Sequence, residues 1–100
     1  RNAIIALANY RDKTAVPLLL KVMKEDMRPV MKGTAAWAVS EIISESSEEL
    51  IHYFTEMLEK ARKVEATTKE EADLVVELEE AIQTLREKLP KNPEEGSYDD

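Results

Sequence analysis

Apolar residues in this chain return at every third or fourth position rather than every second, and little interrupts them. Val75, Leu78, Ile82, Leu85 and Leu89 are spaced 3, 4, 3 and 4 apart, which lines them up on one face of an α-helix. With 2 glycines and 4 prolines in 100 residues, turn-forming chemistry is sparse and no alternating run suggests a sheet. The expectation is a single all-α domain over residues 1–89, followed by a disordered acidic tail over 90–100 that is polar and broken by Gly and Pro.

Five helical segments can be read. The first runs from Arg1 to Ala8 and begins without a capping residue, as though cut from something longer. Thr14 is the expected N-cap of a second helix, Ala15 to Glu25, with Pro17 in its first turn where a missing N–H costs nothing. Pro29 opens the third, which extends to Ser44 and is apolar nearly all round, so it should be the central element. In it Trp37 is expected to fill the core, and Gly33 to let another backbone approach closely. Ser46 and Ser47 cap a fourth helix ending near Lys63. Thr68 followed by Glu71 is a capping box opening a fifth that reaches Leu89. That last helix is greasy on one face and acidic on the other, as suits the end of an array.

A shift of 32 residues aligns Ala3-Ile4-Ile5-Ala6-Leu7-Ala8 with Ala35-Ala36-Trp37-Ala38-Val39-Ser40, and places Leu18, Leu19 and Val22 on Leu50, Ile51 and Phe54. A helix pair therefore occurs twice, with the last helix as an incomplete third unit. This period points to a right-handed α-solenoid of about two and a half repeats capped by a long C-terminal helix. In such an array the outer face of the first helix, with Ile5 and Ile4, would be an orphaned interface for an upstream repeat and a surface for self-association. A plain antiparallel bundle is the alternative.

The net charge of -7 is uneven: residues 1–45 hold seven Lys/Arg against five Asp/Glu, and 46–100 hold seven against sixteen. Any contact with RNA phosphates belongs to the first half, where Arg1, Arg11, Lys13, Arg28 and Lys32 are the candidates. The absence of cysteine excludes disulfides and thiolate-held zinc or iron–sulfur clusters within these residues. Glu49 and His52 have the spacing of a helical metal-ligand pair, but the second copy such a site needs is missing because the chain has 1 histidine. The plainer reading is an exposed His beside a Glu. No nucleophile–base constellation or phosphate-binding loop can be assembled, so no catalytic, cofactor-binding or metal-binding residue is assigned. No apolar run is long enough to span a membrane and no secretory leader is evident, which suggests a cytoplasmic protein.

The stretches Asn2-Ala3-Ile4-Ile5-Ala6-Leu7-Ala8-Asn9, Ala15-Val16-Pro17-Leu18-Leu19 and Arg28-Pro29-Val30-Met31-Lys32-Gly33-Thr34-Ala35-Ala36-Trp37-Ala38 resemble HEAT-like repeats. More narrowly, they resemble the C-terminal repeat region of epoxyqueuosine reductases, an iron–sulfur cluster-binding family. The match covers residues 1–45. The resemblance implies a parent oxidoreductase that acts on epoxyqueuosine in tRNA during queuosine biosynthesis, with cobalamin and iron–sulfur clusters held by upstream domains and none by these residues. The stretch would then be a non-catalytic accessory domain, bracing the catalytic domains of the same chain and helping to position tRNA. A free-standing HEAT-like scaffold for protein–protein interaction is the alternative.

Overall fold

The structure, a computed structural model, describes residues 1–90; the expected tail lies outside the described residues from 91 onward. It consists of α1 (Asn2–Asn9), a 3-10 turn (Lys13–Ala15), α2 (Val16–Glu25), α3 (Pro29–Ile42), α4 (Glu48–Lys63) and α5 (Lys69–Glu87), with no strand among the described residues. The all-helical expectation stands, and the helices fall where the 3–4 spacing put them.

The caps show how local chemistry sets the boundaries. Ser47 Oγ accepts from Leu50 N at 3.1 Å and starts α4. At α5, Thr68 Oγ1 accepts from Glu71 N at 3.2 Å, while Glu71 Oε1 reaches back to Thr67 N at 3.3 Å and to both threonine hydroxyls. The box closes one residue further out than its usual form. At the first turn the expectation fails: Asp12, not Thr14, is the cap. Its carboxylate accepts from both Thr14 N (3.1 Å) and Thr14 Oγ1 (2.5 Å), winding Lys13–Ala15 into a 3-10 turn before α2 begins. A carboxylate is the stronger acceptor, and the threonine hydroxyl becomes its donor.

α3 is central. It packs against α1, α2 and α5, while α4 packs on α5. Eight of its residues are buried, among them Ala35, Ala36, Ala38 and Val39 with no exposed surface. Phe54 of α4 is likewise fully enclosed, with Met23, Leu19 and Leu85 around the same core. Tyr53 Oη donates to Leu20 O at 3.0 Å, tying α4 to α2.

Three expectations need correction. Ile4 is only 7% exposed and belongs to the core, because the alanines of α3 let α1 come close enough to cover it; Ile5 is half-buried. Trp37, expected inside, is 37% exposed. Gly33 does not admit a neighbouring backbone: the Glu77 side chain of α5 lies against it. A β-carbon there would collide with the Glu77 carboxylate and come within 2.9 Å of Glu77 Cδ. A carboxylate at the end of a flexible side chain can move away. Gly33→Ala is therefore expected to be neutral or to stabilise by up to about 1 kcal/mol through helix propensity, as measured by urea unfolding. A loss of about 2 kcal/mol, the scale of an overpacked core, would mean that the glycine is sterically required.

Of the positions related by the 32-residue shift, Ile4 and Ala36, Ala8 and Ser40, and Leu19 and Ile51 are buried in both copies, whereas Ala3 and Ala6 are exposed and their counterparts Ala35 and Ala38 are buried.

Candidate nucleic-acid interface

Successive turns of up-and-down helices lie at opposite ends, and this splits the five candidate cations. Arg11 and Lys13, from the turn after α1, sit at the C-terminal end of α3. There Arg11 Nη1 donates to Glu41 O at 2.9 Å and Lys13 Nζ to Ser44 Oγ at 3.1 Å. Arg28 and Lys32 sit at the opposite end, where α3 starts, about 20 Å away by the rise of a 14-residue helix. Arg1 lines a groove of about 480 Å³ along α3 with Trp37, Glu41, Glu77 and Glu80. The five residues thus form no single patch.

The C-terminal end of α3 gains a cation that the sequence did not announce. Lys88, beyond the end of α5, donates from Nζ to Ser40 O (2.6 Å), Ile43 O (2.8 Å) and Glu41 O (3.3 Å). α3 has no basic residue in its own last turn. Its unpaired carbonyls and the negative end of its dipole draw positive charge from elsewhere instead. Nearby, the Ser46 hydroxyl donates to Leu85 O and Ser46 N to Lys88 O at 2.9 Å, fastening the α3–α4 connection to the end of α5.

Arg11 is unusual in backbone as well. Asp12 N donates to Leu7 O and Arg11 N to Ala8 O, the paired bonds of a Schellman ending of α1, and Arg11 occupies its left-handed position with φ 52°. Glycine is the usual occupant; an L-residue pays about 1 kcal/mol there. Arg11 offsets that strain with its bond to Glu41 O and, being exposed, keeps further guanidinium donors free for solvent or ligand.

At the other end, Arg28 folds onto Asp26. The carboxylate accepts from Arg28 N, Nε and Nη2 at 2.8, 3.0 and 2.8 Å. These bonds, chiefly those from the side chain, hold the Asp26 carboxyl at about 2, below its ordinary 3.8. A depressed folded pKa contributes stability above the ordinary value, and that contribution is lost as pH falls from about 4 toward 2.

In the Trp37 groove, partial burial raises the Glu77 carboxyl, reinforced by Asp73 and Glu80 and opposed by Arg1. The sign is opposite to that of Asp26: the fold disfavours the charged form, so neutralisation should help once pH exceeds the folded pKa. Glu77→Gln is expected to raise Tm at pH 7 by a degree or two, on the scale of a partly screened carboxylate. The gain should vanish at low pH, where wild-type Glu77 is protonated. An equal gain at pH 3 and pH 7 would show that charge is not the cause.

His52 Nε2 lies 2.6 Å from Glu56 Oε1, one turn ahead, so the partner is Glu56 and not Glu49. Among the described residues no group of three or more His, Asp or Glu could hold a metal ion, and no helix is long and apolar enough to cross a membrane.

Among the described residues the chain is all-helical, and its exposed features include cation-bearing helix ends and two open grooves. Its relatives are more specific. It is 43% identical over 86 residues to the epoxyqueuosine reductase of Bacillus subtilis (strain 168), covering 86% of this chain and 19% of that protein. It is 53% identical over 51 residues to the epoxyqueuosine reductase of Listeria monocytogenes, covering 51% of this chain and 14% of that one. A Geobacillus stearothermophilus protein named "Uncharacterized protein in gldA 3'region" is 61% identical over 46 residues, 46% of this chain and 21% of its own. The chain thus spans about a fifth or less of the length of these curated relatives. No family model and no solved structure matches it.

Proposed function

We propose that this chain is a non-catalytic helical-repeat region of an epoxyqueuosine reductase, corresponding to the C-terminal part of that cytoplasmic enzyme. The observation that carries the reading is the 43% identity to the Bacillus subtilis reductase along 86% of the chain. A central α3 packed against α1, α2 and α5 supports a layered, repeat-like arrangement of helices. With no cysteine, these residues offer no thiolate to an iron–sulfur cluster, so any cluster of the parent would be held by its other domains. The role left to this region is to brace those domains, in part through half-buried Ile5 on α1, and to help position tRNA.

Of the five cations first considered, Arg11 and Lys13 are the pair best placed for phosphate, since they share one helix end with Lys88. Arg28 is already engaged by Asp26.

Two measurements test the reading. The coding sequence upstream of Arg1 should contain two Cys-x2-Cys-x2-Cys-x3-Cys-Pro runs; their absence overturns the reductase assignment in favour of a free-standing repeat scaffold. In the full-length parent, Arg11→Gly combined with Lys13→Ala should weaken anticodon stem-loop binding by about 3- to 10-fold at low salt and reduce the salt slope by one to two contacts. Arg11→Gly relieves the left-handed strain, so the variant should fold. Unchanged affinity and slope remove the tRNA role.

A further inference from the structure

The second groove, of about 280 Å³, lies where the end of α2, the start of α3, the end of α4 and the start of α5 meet. Its floor is apolar, with half-buried Met57 and Leu74 beside the enclosed Met23 and Leu78, and Met27 stands at its edge with 90% of its surface exposed. Lys24, Lys32 and Lys60 line the same groove, and none of the three has a side-chain hydrogen bond or ion pair among the described residues. Glu71 is the one acid in the lining, and it is already occupied by Thr67 and Thr68. The first turn of α3 meets the groove through Pro29 and Lys32, and its N-cap residue Arg28 makes no side-chain cap bond. The positive end of that helix therefore adds to the field of the lysines. In a chain of net charge -7, this is a local reversal of sign around an adaptable, methionine-rich floor.

We propose that this groove docks an acidic peptide segment of another protein, held by apolar anchors on the methionines and by carboxylates on the three lysines. Charge complementarity selects the sign of the partner, since three lysines line the groove of a chain whose net charge is -7. The floor selects its form. A volume of 280 Å³ lies just below the usual range for small-molecule sites, about 300–1,000 Å³, and takes one or two side chains of an amphipathic peptide. Methionine repacks around such anchors at low cost. RNA fits less well: its phosphates could use the lysines, but no aromatic residue lines the groove for bases to stack on.

Methionine-methyl NMR reads the groove directly, because three of the chain's 4 methionines line it and Met31 does not. The probe is a capped 12-residue peptide with leucines spaced three and four apart and glutamates between. It should shift the Met23, Met27 and Met57 methyls while Met31 stays fixed. The affinity should fall about 5-fold between 50 and 300 mM salt. Lys24→Glu with Lys60→Glu, both at exposed positions, should weaken binding about 10-fold with unchanged circular dichroism. The proposal is overturned if the peptide with lysine in place of glutamate binds equally well, or if no methyl moves at 1 mM peptide. It is also overturned if single-stranded RNA moves the same methyls at lower concentration, or if they move with protein concentration alone, which would mark a surface between copies of the chain.

Discussion

Replacing Phe54 by alanine should cost about 3–5 kcal/mol, the range for removing a fully enclosed aromatic ring. The side chain has no exposed surface and sits where α4 closes onto the core. A domain of this size has about 5–13 kcal/mol in total, so the variant should be marginal at 25 °C and show a much reduced urea midpoint. Trp37→Ala removes a larger ring yet should cost about 2 kcal/mol or less, because 37% of Trp37 is exposed and it borders a groove rather than filling a cavity. Urea unfolding of the two variants side by side checks the order; a Trp37 variant as damaged as the Phe54 variant would contradict the burial described here.

Lys88→Met should cost about 2 kcal/mol. The ammonium bonds three carbonyls at the end of α3, and hydrogen bonds to charged groups are each worth about 1.5–3 kcal/mol, with incomplete additivity at a partly exposed site. Methionine keeps the apolar stem and removes only the donors. Lys88→Arg should retain most of the stability. Hydrogen exchange supplies an independent readout: amides in the last turn of α3 should lose protection in Lys88→Met before those in its middle. A loss below about 0.5 kcal/mol, the size of a typical exposed interaction, would mean that water replaces the lysine without penalty.

Features that depend on neighbours in sequence were legible from the residues. The Thr68 and Ser47 caps and the 3–4 spacing from Val75 to Leu85 each act within a turn or two and were found where expected, while α5 ends at Glu87, two residues short of Leu89. Thr14 was the expected cap within the same short range, but Asp12 takes that role and Thr14 becomes its donor. Trp37 was also misjudged. In a helix apolar on nearly every side, periodicity carries no phase, so nothing local says which residue turns outward. The inward direction was set by α1, α2 and α5, which are far away in sequence. The cation candidates fall at opposite helix ends because linear spacing carries no record of how those ends alternate. Lys88 was missed because its bonds span 45 to 48 residues. Glu77 against Gly33 is of the same kind.

The bonds from Lys88 into α3 also have a consequence for birth on the ribosome. The third helix can wind as soon as it leaves the exit tunnel, but its final turn waits for a residue made some forty-five positions later, when the last helix is already formed. Loop closure over that distance is slow relative to helix winding. This segment should therefore stay open to proteases until Lys88 has emerged from the ribosome, and then lock in a single step.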